Sequence, residues 1–254
     1  MRKRILSSIL VLLFLLCTVS CSDADRGSVL GLMYHHLTDN PEEISAWTTS
    51  PEELRTNLTD LMELGYAPLS LEDYIDGQYD PEADYFIVTF DDGYRSNLTL
   101  AEPVLAEMHI PAAIFVVTGY VGTPHYMSWD DLRAARDGGV FTLYSHTHSH
   151  LSASEVPLAQ FLADEKTAEE SLSAQLGENA HRVLSYPNGA FTKESMRALR
   201  QDGYDLFVIQ DKPAWHRENR HGKILLRVNV PGEGADMKEI ANFHRARCGV
   251  NKLP

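Results

Sequence analysis

The chain has 254 residues, of which 44% are hydrophobic and 23% are charged, and its formal net charge at pH 7 is −14. This composition is typical of a globular protein with one large domain or two small ones. The negative charge disfavours a nucleic-acid partner, because the phosphate backbone is also negative, and it is compatible with a neutral or cationic substrate.

The first twenty residues have the pattern of a secretory signal: residues 2–4 are basic, residues 5–16 are apolar apart from two serines, and small residues follow. The apolar run is too short for a membrane-spanning helix. Residues 18–21, Thr-Val-Ser-Cys, resemble a bacterial lipobox. They predict an exported protein that is cleaved before Cys21 and anchored by lipid to the outer face of the cell membrane. The alternative is ordinary cleavage near the same place, which would give a secreted protein.

Cysteine usage agrees with export and lipidation. Cys17 would leave with the signal and Cys21 would carry the lipid, so that Cys248 remains alone and has no partner for an intramolecular disulfide. Residues 21–27 are predicted to be a polar tether, and a single catalytic domain is predicted over residues 28–250. We expect a monomer.

Strands and helices are predicted to alternate along this domain. The first strand covers residues 29–34, and the first helix follows Ser50-Pro51-Glu52-Glu53, in which Ser caps the helix and Pro occupies its first position. Further strands are predicted over 86–90, 112–117, 141–144, 183–186, 204–209 and 224–230, and further helices over 70–75, 98–108, 130–136, 157–176, 193–200 and 236–244. This alternation predicts an α/β fold with a mostly parallel sheet.

Two acidic residues, Asp91 and Asp92, follow the predicted strand 86–90. The carboxyl ends of parallel strands carry the active sites of such folds, and adjacent side chains at a strand end point in different directions. One carboxylate could therefore bind a metal while the other faces a substrate. Taken alone, the Asp-Asp-Gly segment is also typical of an ordinary turn.

A histidine cluster, His146-Thr147-His148-Ser149-His150, follows another predicted strand. One helical turn would place His146 and His150 on the same side, whereas an extended segment would align all three histidines. Two imidazoles and one carboxylate form a good site for Zn²⁺ or a similar ion and leave a position open for water. Co²⁺, Ni²⁺ and Fe²⁺ suit the same ligands.

These segments resemble one known family. Thr89-Phe90-Asp91-Asp92-Gly93, His146-Thr147-x-x-His150 and Ser185-Tyr186-Pro187-Asn188-Gly189 resemble the motifs of the polysaccharide deacetylases with a NodB-homology domain. The resemblance implies a distorted (β/α) barrel that hydrolyses acetyl groups of polysaccharides such as chitin, peptidoglycan or poly-N-acetylglucosamine. It also implies Asp91 as general base, and Asp92, His146 and His150 as ligands of a divalent metal.

Two departures from the family pattern narrow the resemblance. Ser185 stands where the family usually has an Arg that orients the base, and the last predicted strand lacks the usual catalytic His. The start of the chain, Leu32-Met33-Tyr34-His35-His36, resembles the circularly permuted poly-β-1,6-N-acetylglucosamine deacetylases of the intercellular-adhesin type. This resemblance implies that His35 is the general acid, and it leaves Arg227 to replace the missing Arg and hold Asp91.

Several residues are predicted to contact an acetylated polysaccharide substrate. The backbone N–H of Tyr94 is a candidate oxyanion donor, and the resemblance implies that Tyr186, Pro187 and Asn188 line the substrate groove. Aromatic side chains could also stack on sugar rings, the candidates being Trp129, Tyr186, Phe191 and Trp215.

Two other functional classes stay open. One is a different metal hydrolase, of the amidohydrolase or phosphatase type, which would need further late ligands, and His181, His216, His221 and His244 are available. The other is a catalytically inactive glycan-binding lipoprotein. The complete set of Asp91, Asp92, His146 and His150 disfavours it, because a pure binding protein gains nothing from an open metal site.

Overall fold

Seven parallel strands close into a barrel in the computed structural model, which describes residues 27–210 and 224–248. The strands are β1 (Val29–Tyr34), β2 (His36–Leu37), β3 (Thr48–Thr49), β4 (Ala67–Pro68), β5 (Tyr85–Phe90), β6 (Ala112–Val116), β7 (Phe141–Ser145), β8 (Val183–Ser185), β9 (Leu206–Gln210) and β10 (Ile224–Asn229). The helices are α1 (Pro51–Glu63), α2 (Leu71–Asp76), α3 (Glu102–Met108), α4 (Trp129–Asp137), α5 (Leu158–Leu176), α6 (Lys193–Gln201) and α7 (Met237–Cys248).

The first strand closes the barrel. β1 pairs with β5 from Val29–Tyr85 to Tyr34–Phe90, and on its other side it pairs with β10, the last strand. The remaining barrel strands follow in the order β10, β9, β8, β7, β6 and β5, and all pairings are parallel. The predicted α/β barrel is therefore confirmed, and the first strand lies beside the strand that carries Asp91, as the predicted permutation requires.

Gly31 on β1 permits a close approach of β10. A Cβ atom at this position would lie 2.7 Å from the carbonyl oxygen of Leu226 and 2.9 Å from Cγ of Arg227. These distances are shorter than any van der Waals contact, so a larger residue at position 31 would push the two strands apart or displace Arg227. The glycine thus leaves room for a large side chain that points into the barrel.

Most predicted elements lie where the sequence placed them, and α1 shows why. The hydroxyl of Ser50 accepts a hydrogen bond from the N–H of Glu53 at 3.0 Å, and Pro51 begins the helix. Leu54, Leu58 and Leu61 form its apolar stripe, and all three are fully buried in the core.

Two predicted helices need correction, and three short strands were not predicted. The predicted helix 98–108 is divided, because a π-helical turn over Asn97–Ala101 precedes α3. The short strands β2, β3 and β4 have two residues each and were not predicted, since so short a segment has no apolar period. Finally, α7 extends beyond the predicted end at residue 244.

Among the described helices, none combines the length and the apolar character needed to cross a bilayer. The predicted signal 1–20, Cys21 and nearly all of the predicted tether lie outside the described residues, as do Trp215, His216 and His221.

Candidate active site

A cleft of about 560 Å³ opens where the barrel strands end. Most of the predicted site residues line this cleft, namely His35, Asp91, Asp92, Tyr94, His146, His150, Tyr186, Asn188 and Arg227. They come from the carboxyl ends of β1, β5, β7 and β8 and from within β10. The parallel barrel brings them together because the ends of its strands meet on one face.

Asp92, His146 and His150 form a group with the geometry of a metal site. One ligand atom from each of the three lies within 4.8 Å of the other two. Oδ1 of Asp92 is 3.6 Å from Nε2 of His146 and 3.5 Å from Nε2 of His150. That oxygen is buried and has no hydrogen-bond donor among the described residues. A buried carboxylate oxygen that faces two imidazole nitrogens without a donor fits a divalent cation as its partner.

Left-handed backbone conformations aim two of these ligands. φ is 73° at Asp92, 67° at Thr147 and 56° at His150, and residues with a side chain rarely adopt such values. The sequence offered a helical turn or an extended segment for residues 146–150, and the structure has neither. The segment is an irregular turn, which we call the metal loop. Strain of this kind is concentrated at functional sites, where the surrounding structure holds it in place.

The ring of His146 is oriented by a backbone carbonyl. Its Nδ1 lies 2.8 Å from the carbonyl oxygen of Ser185. Because a carbonyl oxygen only accepts, Nδ1 carries the proton and Nε2 keeps its lone pair for the metal group. Burial lowers the pKa of His146 to about 4, against the opposing charge of Asp91. The imidazole is therefore neutral at pH 7, as a metal ligand must be.

Asp91 forms a buried ion pair with Arg227. Nη1 of Arg227 donates to Oδ1 at 2.6 Å and Nη2 donates to Oδ2 at 2.7 Å. The same guanidinium donates to the hydroxyls of Thr89 and Ser185, each at 2.8 Å. Burial raises the pKa of Asp91, but the charges of Arg227 and His146 outweigh it and hold that pKa well below its usual range. The interaction expected of Arg227 is present, and Ser185 contributes a hydroxyl to the same network.

Asp92 behaves differently from its neighbour. Burial and the charge of Asp91 raise the pKa of Asp92 to about 7, although Arg227 opposes them. Adjacent carboxylates in one cleft thus have pKa values that lie far apart, which is common where two acids have different duties.

His35 extends into the cleft from the end of β1. Its carbonyl oxygen accepts a hydrogen bond at 2.7 Å from Nδ2 of the buried Asn97, which begins the π-helical turn. Its Nδ1 is buried and has no hydrogen-bond partner among the described residues. Burial lowers the pKa of His35, Asp91 raises it, and Arg227 and His150 lower it further. The first residue of the π-helical turn therefore holds the backbone of this histidine.

The predicted substrate residues Tyr94, Asn188 and Tyr186 line the cleft but differ in their exposure to it. The rings of Tyr94 and Tyr126 stack at 4.7 Å beside the cleft, and Asn188 lines it while donating to the hydroxyl of Ser152 at 2.9 Å. Tyr186 reaches the cleft floor but is 1% exposed, and its ring stacks on Phe161 at 5.6 Å.

Three further aromatic or proline candidates do not line the cleft. Pro187 is buried, and Phe191 packs against the core cluster around Tyr186. Trp129 packs against the main core at the start of α4. The structure gives Trp129 a role in packing, because its position at the first turn of an amphipathic helix turns its ring towards the core.

Trp47 is a cleft residue that the sequence analysis missed. The residue is 52% exposed and lines the cleft, and its ring lies edge-on to His35 with the ring centroids 5.0 Å apart. It lies between β2 and β3, which form a small separate sheet. Nothing in the local pattern distinguished this tryptophan from a core residue, since its position depends on a sheet too short to predict.

Within residues 27–210 and 224–248, the group of Asp92, His146 and His150 is the one cluster with metal-binding geometry. His181 has two carboxylates near it, with Nε2 3.2 Å from Asp76 and Nδ1 3.6 Å from Asp205, but it does not line the cleft. His244 is buried elsewhere. The described residues thus provide no second metal group for the alternative class of hydrolase.

Comparisons with known proteins agree with this geometry. The family described as polysaccharide deacetylase matches residues 78–207. The poly-beta-1,6-N-acetyl-D-glucosamine N-deacetylase of Staphylococcus epidermidis is 25% identical over 218 residues, which cover 74% of this chain and 74% of that protein. YxkH of Bacillus subtilis is 25% identical over 194 residues, which cover 74% of this chain and 66% of that protein. The structure of IcaB from Ammonifex degensii superimposes with a TM-score of 0.72 at 25% identity, covering 86% of this chain and 97% of that one.

Proposed function

The chain belongs to the polysaccharide deacetylase family, and we propose that it is a metal-dependent enzyme that hydrolyses N-acetyl groups of an extracellular amino-sugar polysaccharide of the poly-N-acetylglucosamine type. The observation that carries this proposal is the meeting, in one cleft, of the metal group Asp92, His146 and His150 with the ion-paired Asp91 and with His35. The similarity to the Staphylococcus epidermidis N-deacetylase supports the choice of glycan.

Asp92, His146 and His150 would hold the metal, and Zn²⁺ suits their donor atoms best. A bound ion would polarise the acetyl carbonyl and lower the pKa of the attacking water. The water must be made more acidic because the low pKa of Asp91 makes its carboxylate a weak base. Co²⁺, Ni²⁺ or Fe²⁺ could take the same place.

Asp91 accepts the proton of the attacking water. Its two oxygens already accept from Arg227, but each carboxylate oxygen can accept a second hydrogen bond. Oδ2 is 3.8 Å from Nε2 of His146, so the carboxylate lies beside the metal group. Arg227 holds this carboxylate in one orientation, which fixes where the water must lie.

His35 donates a proton to the leaving amine nitrogen. An amine anion is a very poor leaving group, so the step needs an acid within reach. Burial lowers the pKa of His35, which makes its protonated form a stronger acid and a less populated one at pH 7. The backbone N–H of Tyr94 is proposed to donate to the oxyanion that develops at the carbonyl oxygen of the acetyl group.

Trp47 and Tyr94 form aromatic walls for the sugar. Trp47 is exposed beside His35, and Tyr94 stacks on Tyr126 and lies near His36, with ring centroids 5.1 Å apart. Aromatic faces provide apolar contact area for pyranose rings. A sugar bound between these walls would place its N-acetyl group between Asp91 and His35.

Export is part of the same proposal. A polysaccharide outside the cytoplasm requires an exported enzyme, and residues 1–20 have the pattern of a signal. We propose lipidation at Cys21 and anchoring at the outer face of the cell membrane, with secretion as the alternative. Mass spectrometry of the mature N-terminus distinguishes the two.

The test is acetate release from a panel of acetylated glycans, with and without a chelator. We expect release from poly-β-1,6-N-acetylglucosamine, loss of release after chelation, and recovery with Zn²⁺. Phosphatase activity, or a requirement for two metal ions per chain, would instead favour the other class of hydrolase. Glycan binding without acetate release would indicate an inactive binding protein.

A further inference from the structure

We propose that Asp164 on α5 is a positioning residue for the metal site: its carboxylate holds the metal loop, residues 146–150, so that His150 stays within reach of the ion. The inference rests on the proposed metal site. It concerns a residue that does not line the cleft and that carries no motif of its own.

The two histidine ligands are held very differently. His146 is 2% exposed, its N–H donates to the carbonyl of Val116 at 3.0 Å, and its ring donates to Ser185. The side chain of His150 is 26% exposed, and among the described residues its ring meets Oδ1 of Asp92 at 3.5 Å and the rings of His146 and Tyr120 at 5.0 and 6.4 Å between centroids. The position of His150 therefore depends mainly on the backbone that leads to it.

That backbone is strained and irregular. Thr147 and His150 both adopt left-handed φ values, which strain any residue that has a side chain. Left alone, the loop would relax towards ordinary conformations and carry His150 away from Asp92. It needs hydrogen bonds from outside to persist.

Asp164 supplies those bonds on one side. Its Oδ2 accepts from the N–H groups of His148 and Ser149, both at 3.0 Å. These are charge-assisted bonds to consecutive backbone donors, which are stronger than neutral ones. They fix the orientation of the peptide units 147–148 and 148–149, which lead to His150.

The opposite side of the loop is held by residues 118 and 119. Gly119 donates to the carbonyl of His148 at 2.8 Å, and Thr118 is 2.9 Å from Nδ1 of His148 through its hydroxyl. A Cβ atom on Gly119 would lie 2.5 Å from that carbonyl oxygen. His148 thus contributes hydrogen bonds that hold the loop. The loop is bonded to residues 118–119 and to Asp164.

The experiment measures Zn²⁺ affinity by competition with a chromophoric chelator, together with the thermal midpoint of each metal-free protein. We expect Asp164→Ala to weaken Zn²⁺ binding by about 10–100-fold, as loss of a partner that orients a ligand commonly does. Asp164→Asn should keep affinity within a few-fold of wild type, because both bonds go to one oxygen and an amide carbonyl can accept both. Lys166→Ala, an exposed change on the same helix, should bind like wild type.

Equal Zn²⁺ affinity in folded Asp164→Ala and wild type overturns the inference. So does equal loss in the Asn and Ala variants, since that result would assign the effect to charge alone. If Asp164→Ala does not fold, Gly119→Ala displaces the loop from its other side, and unchanged affinity there also overturns it. Failure of wild type itself to bind Zn²⁺ would contradict the proposed function instead, so the two failures are distinct.

Discussion

Arg227 and Asp91 face each other across β1, joined by two hydrogen bonds of 2.6 and 2.7 Å in the barrel interior. The strands that carry them, β10 and β5, both pair with β1. The absent Cβ of Gly31 gives the arginine stem its path between them. The guanidinium of Arg227 thus holds the carboxylate of Asp91, which is the contact that the resemblance led us to expect of it.

Replacing Arg227 with Met tests this pair. We expect the free energy of unfolding to fall by about 3–5 kcal/mol, because Asp91 would keep its charge in a buried site without a partner. Adding Asp91→Asn should recover part of that loss, since the uncompensated charge is then removed. Urea unfolding of wild type, both single variants and the double variant gives the coupling. A double variant no more stable than Arg227→Met would contradict the assignment.

Asp92→Asn and His146→Ala test the metal group. Each should lose bound metal and lower the rate of acetate release by at least about a thousandfold, the equivalent of about 4 kcal/mol in the barrier. Elemental analysis and acetate assays provide the two measurements. His181→Ala is the matched control, because His181 also lies near two carboxylates but outside the cleft. Full metal and full rate in both cleft variants would refute the group.

His35→Gln tests the acid. If His35 must be protonated, kcat/KM falls as pH rises through its pKa, which burial places below the ordinary value of 6.5. The variant should lose this descending limb together with most of the rate. His36→Gln should keep the limb, because His36 is engaged with the hydroxyl of Ser96 at 2.8 Å. An unchanged pH profile in His35→Gln would remove this residue as the acid.

Trp47→Ala tests the aromatic wall. We expect KM for the polysaccharide to rise about 5–10-fold, equivalent to about 1–1.4 kcal/mol of lost ring contact, while kcat changes little. Met62→Ala removes another exposed apolar side chain, 41% exposed on α1, and serves as the control. Unaltered KM in the tryptophan variant would show that the sugar does not bind at this wall.

Glu165 links stability to pH. It is fully buried, accepts from Ser145 at 2.8 Å and Tyr204 at 2.6 Å, and burial raises its pKa to about 8. The folded state therefore keeps a proton that the unfolded state releases near pH 4.5. Stability from this group is fully present below pH 4.5 and is lost as pH rises to about 8.

Glu165→Gln should remove that loss. The amide keeps an acceptor and stays neutral, so we expect the variant to exceed wild type by up to about 4 kcal/mol at pH 8 and to match it near pH 4.5. Urea unfolding at several pH values measures the difference. A constant difference across this range would contradict the role of the buried proton.

Local pattern predicted the parallel α/β fold and the strand ends that carry the site, and the resemblance to the deacetylases added the closure into a barrel. Buried apolar runs such as residues 86–90 mark parallel strands, and Asp91, Asp92, His146 and His150 stand where such strands end. Their meeting in one cleft follows from the parallel topology. The prediction for Arg227 came from the resemblance, because Ser185 stands where the family usually has an arginine.

What the sequence could not predict depends on tertiary contacts. The neighbouring sequence does not distinguish Trp47 from Trp129. Trp47 lines the cleft because it lies between β2 and β3 of the small sheet, whereas Trp129 packs against the main core. Two residues of the metal loop adopt left-handed backbone conformations that its composition does not favour. Hydrogen bonds to α5 and to residues 118–119 hold the loop in this form. Bonds between distant segments leave no periodic pattern.

The pairing of β1 with both β5 and β10 determines at which stage of folding the site is complete. His35 directly follows the first barrel strand and Arg227 belongs to the last, so the proposed acid and the anchor of the proposed base are separated by nearly the whole length of the barrel chain. Arg227 cannot reach Asp91 until β10 docks against β1. In the proposed mechanism, a partly synthesised or partly refolded chain therefore lacks the anchor of its base, and acetate release indicates that the barrel is complete.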